Sequence, residues 1–133
     1  MTGIFADSHF FFAVLNPNDA AHAKATDFAR QHRGPLVTTA WVLTEVADGL
    51  AATPRRHVFR RLIHDLETNK ANLIVPANSE TFEKGVELYH ARPDKQWSLT
   101  DCISFVVMSE EQIAEALTGD HHFEQAGFVA LLK

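Results

Sequence analysis

The sequence predicts an α/β fold in which a mostly parallel central sheet is layered between helices. Short apolar runs that are typical of strands alternate with longer segments of helical pattern along the whole chain. No two predicted strands are joined by a two-residue hairpin turn, so helices must cross over between them, which is the connection that parallel strands require. The segment "CISFVVM" is apolar on nearly every side, which is typical of a buried helix.

In the first half of the chain, each element follows from local residues. "GIFA" predicts a strand, and "SHFFFAVL" predicts a helix that ends at the turn formers of "NPND". The alanine-rich "AAHAKATDFARQHR" predicts a helix that ends at Gly34 and Pro35. "PLVTT" predicts a strand, and "AWVLTEVADGL" a helix that Gly49 weakens near its end. Pro54 marks the start of an arginine-bearing helix within "TPRRHVFRRLIHDL", residues 53 to 66.

The second half continues the alternation. "NLIVP" predicts a strand, "SETFEKGVELYHA" a helix, "RPDKQW" a loop and "SLTDCISFVVMSEEQI" the buried helix. "EALT" and "FVALL" predict the last two strands, with "GDHHFEQAG" as the turn between them. A chain of 133 residues is long enough to bury its own core, so we expect a single domain over residues 1–133.

Composition favours a soluble, cytoplasmic protein. Cys102 is the only cysteine, so no intramolecular disulfide is possible. The first residues lack the basic segment of a secretory signal, and no apolar run approaches the roughly 18 residues of a membrane span. The formal charge of −5 argues against a chain-wide electrostatic contact with nucleic acid. A local contact is still open, because Arg55, Arg56, Arg60 and Arg61 lie close together in the arginine-bearing helix; a solvated helix surface is the alternative.

Four acidic residues are predicted at one edge of the sheet. Asp7 follows the first strand, Glu45 lies in the first turns of the helix after "PLVTT", Asp101 stands at the start of the buried helix, and Asp120 follows "EALTG". In a parallel sheet, ligands bind outside the carboxyl ends of the strands, where these positions meet. Asp7 and Asp120 also suit N-caps, Ser98 with Asp101 fits a capping box, and Glu45 suits an exposed helix surface, so each residue alone has a structural explanation.

The four together favour a metal site. Two carboxylates about 4 Å apart repel by roughly 4 kcal/mol at an effective dielectric near 20, so a cluster of them needs a counter-charge. Hard oxygen ligands favour Mg²⁺ or Mn²⁺ over Zn²⁺.

Four segments resemble the signature regions of the PIN domain family, in the order found in the VapC-like ribonuclease toxins of bacterial toxin-antitoxin pairs: "FADSHFF", "TTAWVLTEVADGL", "SLTDCISF" and "LTGDHHFEQAGF". The resemblance implies a three-layer α/β/α sandwich and a metal-dependent endoribonuclease that hydrolyses RNA phosphodiester bonds. It implies that the Mg²⁺ or Mn²⁺ ligands and catalytic acids are Asp7, Glu45, Asp101 and Asp120. Ser8 and Thr100 match the hydroxyl positions beside the first and third acids, and Thr118 is a weaker candidate near the fourth.

The resemblance also implies partners. Members of the toxin branch form homodimers, and a cognate antitoxin covers their active site. Within this interpretation, the four arginines are the candidates for RNA binding, together with Ser8.

Other interpretations are open at this point. A haloacid-dehalogenase-like phosphatase needs a second Asp two residues after the first, where this chain has His9. A response-regulator receiver needs an acceptor Asp after a middle strand, and "NLIVPANSE" offers none. A catalytically silent scaffold that binds RNA or protein is the non-enzymatic alternative. His121 and His122 suit a surface turn, because neighbouring residues on a helical turn point about 100° apart and do not readily share an ion.

Overall fold

The computed structural model describes residues 3–32 and 34–133, in which five strands and seven helices are found. The strands are β1 (Ile4–Ala6), β2 (Leu36–Thr39), β3 (Leu73–Val75), β4 (Glu115–Leu117) and β5 (Val129–Ala130). The helices are α1 (Ser8–Leu15), α2 (His22–Gln31), α3 (Ala40–Leu50), α4 (Val58–Thr68), α5 (Ser79–Ala91), α6 (Leu99–Glu110) and α7 (His121–Gln125). The sheet has the order β3-β2-β1-β4-β5, and all its described pairs are parallel. The predicted fold class is therefore confirmed.

The strand order determines where the helices lie. From β1 the chain moves outward to β2 and β3, then returns past β1 to β4 and β5. Because crossovers between parallel strands are right-handed, reversing the direction moves the connecting helices to the other face of the sheet. Accordingly α1 packs against α2 and α3, whereas α5 and α7 pack against α6. The reversal occurs between β1 and β4, so a crevice opens at the carboxyl ends of these two strands.

An aromatic cluster joins α6, α7 and the sheet. Phe105 makes edge-on contacts with Trp97 and Phe123, at ring-centre distances of 5.0 and 4.9 Å, and Phe123 also approaches Phe5 of β1. Phe123 is completely buried. The short helix α7 is thereby anchored to the core through one side chain, which fixes the residues at its N-terminus.

Four details differ from the sequence prediction. The arginine-bearing helix begins at Val58, because residues 54–57 form turns and Arg56 donates a hydrogen bond back to the Ala51 carbonyl. The predicted turn "GDHHFEQAG" contains the helix α7, which Asp120 caps. The last strand is only two residues long. Gly49 lies inside α3, where a Cβ atom would stand 2.6 Å from the Phe12 ring, so its role is close packing.

Among the described residues, no helix combines the length and the apolar character that crossing a membrane requires.

Candidate active site

Asp7 lies at the carboxyl end of β1, where the crevice opens. It is the single residue between β1 and α1, and it is only 6% exposed. The Thr118 hydroxyl donates a hydrogen bond of 2.9 Å to Asp7 Oδ2. Burial raises the pKa of Asp7 to about 7, while hydrogen bonds from Thr118 and the Ser8 backbone lower it and the charges of Asp101 and Glu45 raise it further. A buried carboxylate with like charges around it is a typical functional-site residue.

Glu45 reaches the same crevice from α3 and is half-buried. Burial raises the pKa of Glu45, and repulsion from Asp101 and Asp48 adds to the increase. A hydrogen bond with the Ser8 side chain acts in the opposite direction, since it favours the ionised form. Ser8 therefore contacts Glu45 through its side chain and Asp7 through its backbone.

Asp101 has a structural and an electrostatic role at once. It forms the predicted capping box of α6: Ser98 Oγ accepts from the Asp101 backbone, and Asp101 Oδ2 accepts from the Ser98 backbone. Burial raises the pKa of Asp101, as does the charge of Asp120, whereas the Ser98 backbone and His122 lower it. Asp101 is therefore both the capping-box residue of α6 and one of the acids that face the crevice.

Asp120 is held at the crevice by β4 and by the cap of α7. Its Oδ1 atom accepts a hydrogen bond of 2.9 Å from the His122 backbone, and its own backbone donates to Thr118 Oγ1 at 3.1 Å. Because the Thr118 hydroxyl also donates to Asp7, one buried side chain connects the first acid to the backbone of the fourth.

The four predicted acids therefore form one group, defined here as the acid cluster (Asp7, Glu45, Asp101 and Asp120). Asp101 interacts electrostatically with each of the other three, and Asp7 also interacts with Glu45. The pKa values of Asp7, Glu45 and Asp101 are raised first by burial and then by repulsion between the carboxylates, so ionising these groups together is costly without a counter-charge. A hard divalent cation fits this donor set, because it supplies the missing charge and binds carboxylate oxygens.

The family description "PIN domain" matches residues 4–129, which is nearly the whole chain. The chain belongs to the PIN domain family.

Two solved structures share the fold of this PIN domain. VapC20 of Mycobacterium tuberculosis, described as a sarcin-ricin loop cleaving toxin, is 24% identical, with a TM-score of 0.84 over 96% of this chain and 97% of its own. FitAcB from Neisseria gonorrhoeae is 15% identical, with a TM-score of 0.68 over 96% and 94%. No curated protein matches by sequence.

His121 and His122 both turn towards the acid cluster of this PIN domain. His122 Nδ1 lies 3.2 Å from Asp101 Oδ2, and the Nδ1 atoms of His121 and His122 lie 3.6 and 3.4 Å from Asp120 Oδ1. Both rings approach the same carboxylate oxygen, and the expectation that neighbouring residues do not readily share an ion stays a prediction. The ring centres lie 4.4 Å apart.

The predicted arginines are divided between two surfaces. Arg56 and Arg60 line an open groove of about 920 Å³ along α4, together with His57 and His64. Arg61 is on another surface, where it forms an exposed ion pair of 3.2 Å with Asp65. Arg55 lies in the exposed turn before α4.

The structure adds two contacts that the sequence prediction did not include, one made by Thr118 and one by His9. The Thr100 side chain makes no hydrogen bond to the acid cluster within residues 3–32 and 34–133, whereas Thr118 makes the contact with Asp7. His9 was not predicted as a site residue. Its Nδ1 atom accepts a hydrogen bond of 2.9 Å from the Gly119 backbone, and a Cβ atom on Gly119 would stand 2.8 Å from the His9 ring. The only sequence signal for this contact is the glycine immediately before Asp120.

Proposed function

We propose that this PIN domain is a divalent-metal-dependent endoribonuclease that hydrolyses RNA phosphodiester bonds. The observation that carries the proposal is the convergence of the acid cluster at the carboxyl ends of β1 and β4, where burial and mutual repulsion raise the pKa values of Asp7, Glu45 and Asp101. The similarity in fold to VapC20, a sarcin-ricin loop cleaving toxin, supports RNA as the substrate class.

The metal ligands in this proposal are Asp7, Glu45, Asp101 and Asp120, and the ion is Mg²⁺ or Mn²⁺. When bound, the ion supplies positive charge for the phosphate and acidifies a water molecule. The surrounding residues hold the ligands in place: the Thr118 hydroxyl fixes the Asp7 carboxylate, the Ser8 side chain fixes Glu45, and the capping box fixes Asp101. Because these contacts already restrict the carboxylate side chains, less conformational entropy is lost when the ion and the substrate bind.

RNA binding is assigned to the groove along α4. Arg56 and Arg60 face it, so we expect them to contact the phosphate backbone without reading sequence. Arg55 and Arg61 were predicted for the same role, and the ion pair with Asp65 makes Arg61 the weaker candidate. Arg60→Ala and Arg61→Ala form a matched pair, because they remove the same charge from neighbouring positions of one helix.

We expect Arg60→Ala to reduce the slope of log affinity against log salt by about 0.7 for single-stranded RNA, and Arg61→Ala to leave it nearly unchanged. Fluorescence anisotropy with a labelled RNA at four salt concentrations measures both slopes, in Asp101→Asn background protein so that the RNA is not cut. Equal slopes for the two variants would contradict the assignment.

We further propose that residues 1–133 form one domain, that the protein is the toxin of a toxin-antitoxin pair in the cytoplasm, and that it forms a homodimer. The toxin description of VapC20 supports the second point. Induced expression in a bacterial host should stop growth for the wild type and not for Asp101→Asn. Light scattering of purified protein measures the oligomeric state.

The test of the nuclease itself is cleavage of total bacterial RNA by metal-free protein to which Mg²⁺ or Mn²⁺ is added. We expect cleavage only with metal, and none with Asp101→Asn, whose amide still accepts the capping hydrogen bond. Asp94→Asn is the control, because Asp94 is an exposed carboxylate paired with Arg92 outside the site. RNA that stays intact with every metal would favour the scaffold alternative.

A further inference from the structure

Two imidazoles lie beside the acid cluster, and the proposed function uses neither. The potential ligand atoms of Asp120, His121 and His122 all lie within 4.8 Å of one another. Asp101 Oδ2 adds a fourth such atom, 3.2 Å from His122 Nδ1. The other two members of the acid cluster, Asp7 and Glu45, are carboxylates as well.

Hydrogen bonding accounts for one of these spacings, the 3.2 Å between His122 Nδ1 and Asp101 Oδ2, but not for the two distances to Asp120 Oδ1. The 3.6 Å between His121 Nδ1 and Asp120 Oδ1 is too long for a hydrogen bond, and 3.4 Å for His122 Nδ1 is beyond the usual range. The Nδ1 atom of His122 has at most one proton to share between Asp101 and Asp120. Ligands held at about 2.0–2.1 Å from one tetrahedral ion are about 3.4 Å apart, which is close to the distances of 3.6, 3.2 and 3.4 Å that join these atoms.

The site is both fixed and accessible. The His122 side chain is only 19% exposed, and the completely buried Phe123 anchors the same turn to the core. The His121 side chain is 63% exposed, so it lies at the rim of the crevice, where an ion can enter from solvent. One imidazole is thus held in place before binding, and the other is free to close over the ion.

We infer that Asp120, His121 and His122, with Asp101 as fourth ligand, form a mixed nitrogen and oxygen site that prefers Zn²⁺ to Mg²⁺. The inference rests on the proposed function, because Asp101 and Asp120 belong to both ligand sets. Imidazole nitrogens favour Zn²⁺, whereas Mg²⁺ takes oxygen ligands and retains water. Zn²⁺ at this site occupies two of the four carboxylates on which Mg²⁺ depends, so the two ions compete and Zn²⁺ acts as an inhibitor.

Calorimetry of metal-free protein with ZnCl₂ and, separately, with MgCl₂ tests the site without RNA. We expect the double variant His121→Ala with His122→Ala to lose Zn²⁺ affinity by about tenfold or more, with Mg²⁺ affinity changed by less than about twofold. His121→Ala alone should show part of the Zn²⁺ loss, and its exposed side chain can be removed without disturbing the fold. His90→Ala is the control, because His90 is an exposed histidine on α5.

Co²⁺ provides a second readout, since imidazole ligands give it a visible absorption spectrum that the double variant should lose. Unchanged Zn²⁺ affinity in both variants, or an equal fall in Zn²⁺ and Mg²⁺ affinity, would overturn the inference. RNA cleavage that depends on Asp101 but not on the histidines would then leave the proposed function intact. Selective Zn²⁺ binding without any RNA cleavage would support the site and contradict the nuclease.

Discussion

Replacing Asp7 with Asn should stabilise the metal-free protein while abolishing its proposed activity. Burial raises the pKa of Asp7 to about 7, against an ordinary value of 3.8. Between these two values the carboxyl group is protonated in the folded chain and ionised in the unfolded chain. The folded state therefore loses stability as the pH rises from about 4 to about 7.

The magnitude follows from the difference in pKa. One pKa unit corresponds to about 1.4 kcal/mol, so ionised Asp7 costs about 4 kcal/mol of unfolding free energy at pH 8, of which about 2.5 kcal/mol develops between pH 5 and pH 8. Asn has nearly the same shape, carries no charge and still accepts the Thr118 hydrogen bond. It also removes the repulsion that Asp7 exerts on its neighbours Glu45 and Asp101.

Urea unfolding in EDTA, followed by tryptophan fluorescence at several pH values, measures the effect. We expect Asp7→Asn to exceed the wild type by several kcal/mol at pH 8 and by much less at pH 5. Mg²⁺ should then stabilise the wild type and leave the variant unchanged. Asp27→Asn, at an exposed carboxylate of α2, is the control and should change stability by less than about 0.5 kcal/mol at either pH. If Asp7→Asn and the wild type lose stability in parallel with rising pH, Asp7 titrates normally and the reasoning is wrong.

Three further changes probe the packing and the supports of the site. Phe123→Ala should cost about 3–5 kcal/mol of unfolding free energy by denaturant titration, because it empties a fully buried ring position; a loss below about 1 kcal/mol would contradict the anchoring role of this side chain. Gly85→Ala places a Cβ atom 2.3 Å from Ile103 Cγ1 and should cost about 1–3 kcal/mol, which Ile103→Ala in the same chain should partly relieve in a double-mutant cycle. Thr118→Val keeps the volume but removes the hydrogen bond that favours ionised Asp7, so Mn²⁺ affinity by calorimetry should fall, and Thr118→Ser should restore it.

Local sequence patterns predicted the parts of the fold that local interactions determine. The boundaries of α1, α3 and α5 agree with "SHFFFAVL", "AWVLTEVADGL" and "SETFEKGVELYHA", because each segment has its turn residues or caps at both ends. The start of α4 was placed too early, since Pro54 opens a series of turns before the helix begins. The short α7 was read as a turn because burial of Phe123, a tertiary contact, stabilises it.

The acid cluster was predictable because the strands are parallel. The loops and helix starts that follow parallel strands gather at one edge of the sheet, and the four acids lie in such positions. The contacts that surround the acid cluster were not predictable. Thr118 touches Asp7 across 111 residues of chain, and His9 touches Gly119 across 110, so no pattern within a short window shows them. The approach of both histidine rings to Asp120 was not predicted, because the direction of the backbone says little about where two flexible side chains end.

The central position of β1 has a consequence for the order in which the chain is made. β1 pairs with β2 on one side, but its other neighbour, β4, begins only at Glu115. A growing or truncated chain that stops before this point leaves one edge of β1 unpaired and lacks both Thr118 and Asp120. Closing so long a loop is slow, because its entropy must be lost before the contacts form. The acid cluster is therefore completed at the end of synthesis, and incomplete chains carry Asp7 without the partners that would make it a site.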